Sequence, residues 1–138
     1  MSREVLLDTN GWFALLNSAD SLHAKAVQTW QENAQSGCLL VVTDWVIAET
    51  GNGLARRKRR HRFAEAVTQI QASASVEVVY VGPDLLQRAL NLYASHMDKA
   101  WGLVDCASFV LMRERGITDA FTNDRHFQQA GFNCLLTI

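Results

Sequence analysis

The segment Glu4-Val5-Leu6-Leu7-Asp8-Thr9-Asn10-Gly11-Trp12-Phe13-Ala14-Leu15-Leu16 decides the architecture. Glu4 to Leu7 is a short β-prone run, Asp8-Thr9-Asn10 ends it with turn- and cap-forming residues, and Trp12, Phe13, Leu15 and Leu16 then recur at helical spacing. A strand therefore passes almost directly into a helix. The same alternation continues downstream. Leu22 to Ala34 is rich in helix formers, Gly37 stops it, and Cys38 to Val42 is a continuous apolar run of the kind buried on both faces. Thr43 or Asp44 caps a third helix, which carries Trp45, Val46 and Glu49 toward Gly51 and Gly53, where a bend is expected because glycine weakens helix continuation. The helical period resumes from Phe63 to Ala72. Val76 to Val81 is the next strand, and Gly82-Pro83-Asp84 opens a long helix through Tyr93 with proline in its first turn. Leu103 to Met112 is apolar nearly all round, as buried helices are. Ala120 to Thr122 is a short strand, Asp124 to Gln129 a short helix closed by Gly131, and Cys134 to Ile138 the final strand.

Strands that alternate with helices from end to end, with helical crossovers between apolar strands, imply an α/β three-layer sandwich around a mostly parallel sheet. In such sheets ligands bind beyond the carboxyl ends of the strands. The chain has 138 residues, 49% hydrophobic and 20% charged, with a single proline. That is an ordinary globular profile and fits one domain, residues 1–138. Cys38, Cys106 and Cys134 stand far apart without CxxC spacing and read as reduced core residues. The first strand begins almost at Met1, leaving no room for a signal peptide, and no apolar run approaches the roughly 18 residues needed to span a bilayer. A cytoplasmic protein with no membrane partner is expected. The net charge is −1, so attraction to a nucleic acid would have to come from a local patch.

Four acids stand in informative places. Asp8 ends the first strand and Asp124 follows the strand ending at Thr122, so both belong at the ligand edge; each could equally cap the helix that follows. Glu49 has Val42, Trp45, Val46 and Gly53 as its helical neighbours and is expected to point inward, where an ionised carboxylate needs a cation or strong hydrogen bonds. Asp105 lies in the first turn of a buried helix, where the helix dipole offers a second explanation. Convergence of all four on a hard divalent cation explains them together, and Mg²⁺ suits an all-oxygen set. Zinc is disfavoured, because His23, His61 and His96 look like surface or helix-end residues and His126 lacks a cysteine partner.

The words around these acids are Leu-Leu-Asp8-Thr-Asn10, Val-Ile-Ala-Glu49-Thr, Leu-Val-Asp105-Cys-Ala-Ser-Phe and Phe-Thr122-Asn-Asp124-Arg-His-Phe. Taken in this order, they resemble the PIN-domain ribonucleases from Val5 through Phe132, and most closely the compact toxin halves of VapBC toxin–antitoxin pairs. The resemblance implies a sheet of order 3-2-1-4-5, a four-acid site, and Mg²⁺- or Mn²⁺-dependent endonucleolytic hydrolysis of RNA. Asp8, Glu49, Asp105 and Asp124 match the acidic quartet as catalytic residues and metal ligands. Asn10 and Thr122 match supporting polar positions that orient carboxylates or water, although both are also ordinary turn and cap residues. Asp98 reads as a loop residue.

This chain departs from many basic RNA-cutting toxins in being mildly acidic. The counterweight is Arg56-Arg57-Lys58-Arg59-Arg60-His61-Arg62, which could guide a phosphate backbone toward the acids or form a solvated or antitoxin-docking face. A homodimer is expected, both from the resemblance and from large apolar groups such as Trp12 and Trp30 on helices with little sheet to cover them. Two rival classes remain at this level. One is an aspartate-based phosphotransferase with Asp8 as nucleophile, though position 10 is Asn where such enzymes need an acid. The other is a non-catalytic RNA- or protein-binding module, against which the intact quartet argues.

Overall fold

The computed structural model describes residues 3–56 and 58–137. Strand β1 (Glu4–Leu7) feeds α1 (Thr9–Leu16), followed by α2 (His23–Gln35), β2 (Leu39–Thr43), α3 (Asp44–Leu54), α4 (Arg60–Ala72), β3 (Val76–Val79), α5 (Pro83–Ser95), α6 (Leu103–Arg115), β4 (Asp119–Phe121), α7 (Arg125–Gln129) and β5 (Asn133–Cys134). All described strand pairs are parallel and the order is β3-β2-β1-β4-β5, as the family resemblance implied. Every carboxyl end therefore opens on one edge.

Burial follows from that topology. Central β1 has Val5, Leu6 and Leu7 fully buried, with their side chains alternating between two apolar clusters. Val5 and Leu7 join Trp12, Val42, Val46 and Phe121 on one face. Leu6 joins Val41, Phe109, Met112 and Phe127 on the other, against α6. Edge strand β3 is only half-buried throughout. Local signals set the helix ends: the Thr43 hydroxyl accepts from the Val46 amide at 3.2 Å, and Gly116 ends α6 at φ 70°, a left-handed conformation that suits glycine.

Three expectations change. Helix α3 is not broken at the glycines but runs through Gly51 and Gly53 to Leu54. At Gly51 the missing side chain makes room for a neighbour, since a Cβ there would lie 2.8 Å from the Phe63 ring of α4. The last strand is Asn133–Cys134, one residue earlier and much shorter than expected, because a turn at residues 135–136 redirects the chain. Hydrogen bonds persist through that turn, from Leu135 N to Ala120 O (2.9 Å) and Leu136 N to Thr122 O (3.1 Å); Ile138 lies outside the described residues. Finally, Trp12 is buried within this one chain against Phe63, and half-buried Trp30 packs edge-on against Phe121, so neither asks for a partner.

The described cysteines are free. Among the described residues no helix is long and apolar enough to cross a membrane.

Candidate active site

Two strand-to-helix turns are stitched together at the carboxyl edge. Asp8 occupies the N-cap position of α1 in extended conformation, yet its side chain makes no capping hydrogen bond. Instead its Oδ2 accepts from the Thr122 hydroxyl at 2.8 Å. Asn10 Oδ1 lies 3.2 Å from the same hydroxyl and accepts from the Asn123 amide at 2.7 Å. The Thr122 oxygen in turn accepts from the Asp124 amide at 3.0 Å. Asn10 and Thr122 thus fix the β1–α1 turn against the β4–α7 turn.

This approach depends on Gly11. A Cβ at that position would lie 2.0 Å from the Phe121 carbonyl oxygen, so only glycine lets α1 start this close to the end of β4. The sequence reading overlooked Gly11, because a glycine in a helix gives no sign of what passes beside it.

Asp105 and Asp124 combine capping with a place in the cluster. Asp105 stands in the first turn of α6, where its Oδ2 lies 3.4 Å from the Gly102 amide. Asp124 caps α7 with Oδ1, accepting from the His126 amide at 2.9 Å. The His126 ring joins them: Nδ1 lies 3.1 Å from Asp105 Oδ2 and 3.6 Å from Asp124 Oδ1. Ligand atoms of Asp105, Asp124 and His126 all fall within 4.8 Å of one another. His126 was set aside in the sequence for want of a cysteine partner. Its position two residues after a capping acid was the available signal, because that spacing folds the ring back over the cap.

Glu49 requires a correction. Its side chain is exposed, not turned inward. Helix α3 packs against α1, and the Glu49 Oε1 accepts from the Thr9 hydroxyl at 2.5 Å. Glu49 stands beside the residue that follows Asp8, at the rim of the cluster. Asp98 is an exposed loop residue paired with Lys99, as expected.

Crowding of acids in partial burial sets the electrostatics. Asp8 is 3% exposed, and its pKa is pushed up to about 7 by burial, with Asp105 and Asp124 adding repulsion and the Thr122 hydroxyl opposing. Burial also raises Asp105, while the hydrogen bond from His126 holds it down. The Cys106 thiol rises to about 11 through burial and the nearby Asp105. Asp105 and Asp124 beside the His126 imidazole form a donor set compact enough for a divalent cation, which would relieve the repulsion among the acids; Asp8 adjoins this group without belonging to it.

The basic run occupies the α3–α4 connection and the first turn of α4. Arg56, Lys58, Arg60 and Arg62 are exposed, Arg59 is half-buried, and Arg57 lies outside the described residues. Arg60 Nε donates to the Ala55 carbonyl at 3.1 Å, and His61 pairs with Glu65. Helix α4 ends just before the amino end of β3 and is about 20 Å long at 1.5 Å per residue, so its basic first turn lies toward the edge that carries the acids.

The family model for the PIN domain matches residues 5–133. The 23S rRNA-specific endonuclease VapC20 of Mycobacterium tuberculosis is 34% identical over 128 residues, which span 93% of this chain and 95% of that protein. The crystal structure of M. tuberculosis VapC20, a Sarcin-Ricin loop cleaving toxin, superimposes with a TM-score of 0.82 over 93% of this chain and 95% of that one, at 34% identity. With its sheet order, its stitched acids and these matches, the chain belongs to the PIN-domain family of metal-dependent ribonucleases, among the VapC-type members.

Proposed function

We propose that this chain is the toxin of a toxin–antitoxin pair, acting as one cytoplasmic nuclease domain that cuts a loop of ribosomal RNA with Mg²⁺ or Mn²⁺. The observation that carries the reading is the buried Asp8 carboxylate, held by Thr122 and facing Asp105 and Asp124. The RNA class follows from the likeness to VapC20, whose name specifies 23S rRNA.

In this mechanism Asp8, Asp105 and Asp124 would hold the cation, and Asn10 and Thr122 keep Asp8 and Asp124 in register. When bound, the cation would supply water activation and offset charge on the phosphate. Exposed Glu49, anchored by Thr9, orients the attacking water. The water oxygen forms the new bond to phosphorus and gives up a proton to solvent by way of exposed Glu49, the ester P–O bond breaks, and the departing alkoxide takes a proton from solvent water. Arg56, Arg57, Lys58, Arg59, Arg60 and Arg62 attract the RNA backbone.

Homodimer formation rests on different residues from those first expected. Among the described residues Tyr80, Leu90, Tyr93 and Met97 are the exposed large hydrophobic ones, and Met97 is 93% exposed. A second copy covering Leu90 and Tyr93 of α5 and the nearby Met97 would remove them from water, as interface cores do. Light scattering of the parent and of Met97→Lys tests this, with a monomeric parent at micromolar concentration counting against it.

Buried Asp8 is poorly placed for in-line attack, which argues against the phosphotransferase reading. The deciding experiment incubates the parent and Asp8→Asn with 23S rRNA and with an unrelated structured RNA, with Mn²⁺ or EDTA. Cleavage of the ribosomal RNA only by the parent with metal supports the proposal. Equal cleavage by Asp8→Asn would overturn it.

A further inference from the structure

We infer that His126 Nδ1 is a direct ligand of the cation held by Asp105 and Asp124, and that it biases this site toward Mn²⁺ over Mg²⁺. The inference rests on the metal-dependent reading above and adds a nitrogen to a donor set that the sequence presented as oxygen only.

The geometry favours ligation over a simple hydrogen bond to one acid. Nδ1 stands 3.1 Å from Asp105 Oδ2 and 3.6 Å from Asp124 Oδ1, so it faces both carboxylates at once. An octahedral ion with ligands at about 2.1 Å separates neighbouring ligand atoms by roughly 3 Å, close to both spacings. The backbone that carries the ring is also fixed in place. Its backbone amide is tied to Asp124 Oδ1 at 2.9 Å, and the next residue, Phe127, is fully buried in the core against Phe109.

The other histidines are engaged elsewhere. His23 Nδ1 lies 2.9 Å from the Ala14 carbonyl, His61 pairs with Glu65 on an exposed helix face, and His96 stacks on Trp101. As a ligand, His126 takes the neutral tautomer with its hydrogen on Nε2. Imidazole is a softer donor than carboxylate. Mg²⁺ prefers oxygen and gives up its water reluctantly, whereas a first-row ion accepts the mixed set.

The test reads coordination directly. The full-length parent is prepared with ¹⁵N-labelled or unlabelled histidine, loaded with less than one equivalent of Mn²⁺, and examined by pulsed electron paramagnetic resonance. A ¹⁴N modulation that changes to the ¹⁵N pattern on labelling and disappears in His126→Gln is the expected result. Calorimetry should show Mn²⁺ binding to His126→Gln weakened by about tenfold and Mg²⁺ binding unchanged to within roughly twofold. Bound Mn²⁺ without histidine nitrogen coupling in the labelled parent would overturn the inference, whether or not His126→Gln folds, while leaving the nuclease reading intact. Equal loss of both ions in a folded variant would also overturn it. Failure of the parent to bind either ion would remove both readings.

Discussion

The Thr122 hydroxyl lies 2.8 Å from Asp8 Oδ2, joining residues 114 positions apart across the ends of two adjacent strands. This bond stabilises the charged form of a buried acid and also holds two turns together. Thr122→Val keeps the shape and removes the hydroxyl, which strands the Asp8 carboxylate and the Asp124 amide. The expected cost is about 1–3 kcal/mol by urea unfolding at pH 8 in EDTA, with Thr122→Ser close to the parent. A Val variant as stable as the parent would show that water replaces the hydroxyl.

Asp8 also predicts how stability varies with pH when no metal is bound. Its pKa is about 7 in the folded protein and about 3.9 in the unfolded chain. Between these values the folded state keeps a proton that the unfolded chain has lost, so unfolding releases it. Stability therefore falls as pH rises from about 4 to about 7, by at most about 1.4 kcal/mol per pH unit from this group, and levels off above. The decline attributable to Asp8 should vanish in Asp8→Asn. Equal pH dependence in the two proteins would mean that Asp8 is ionised throughout.

Gly11→Ala places a methyl group 2.0 Å from the Phe121 carbonyl. Backbone on both sides must move, so the expected destabilisation is at least about 1–3 kcal/mol, as for overpacked cores. RNA cleavage should fall further than stability alone explains, because the displaced turn carries Asp8 and Asn10. An Ala variant with parental melting temperature and activity would remove the proposed role of this close approach.

Gly11 marks the limit of what periodicity carries. Strand-to-helix alternation follows from periodicity, which fixed the order of elements and put Asp8 and Asp124 on one edge before any contact was known. Contacts between distant elements carry no such period. The burial of Trp12 against Phe63, the packing of Gly51 under the same ring, and the meeting of His126 with Asp105 depend on how helices cross. Glu49 was misjudged for the same reason: residues three and four positions away are largely apolar, but the packing of α3 leaves the carboxylate itself exposed beside Thr9.

The basic run predicts a salt effect. Changing Arg56, Arg57, Arg59 and Arg60 to Gln should weaken RNA binding and flatten its dependence on salt, by about 0.7 in log–log slope for each lost contact to a single strand. Metal binding should be unaffected, because Arg56 and Arg59 lie on the α3–α4 connection and Arg60 opens α4, away from the acids. An unchanged slope would assign the run to another surface, such as an antitoxin contact.

The acids themselves make the most discriminating prediction. Without metal, Asp8, Asp105 and Asp124 repel one another in partial burial, so the parent carries a cost at neutral pH that Asp8→Asn removes. The variant should be more stable than the parent in EDTA at pH 8, by at least about 1 kcal/mol, because the bond from Thr122 offsets only part of the cost that burial and repulsion place on the charged form. With metal the order should reverse. A cation present at 100 times its dissociation constant stabilises the folded parent by about 2.7 kcal/mol through mass action, whereas the variant binds it poorly and gains little. Thermal unfolding of both proteins with EDTA, Mg²⁺ and Mn²⁺ measures the crossover, and parallel cleavage assays tie it to activity. If Asp8→Asn is clearly destabilised in EDTA and still cuts RNA with metal, Asp8 is a structural residue and the cation is held elsewhere.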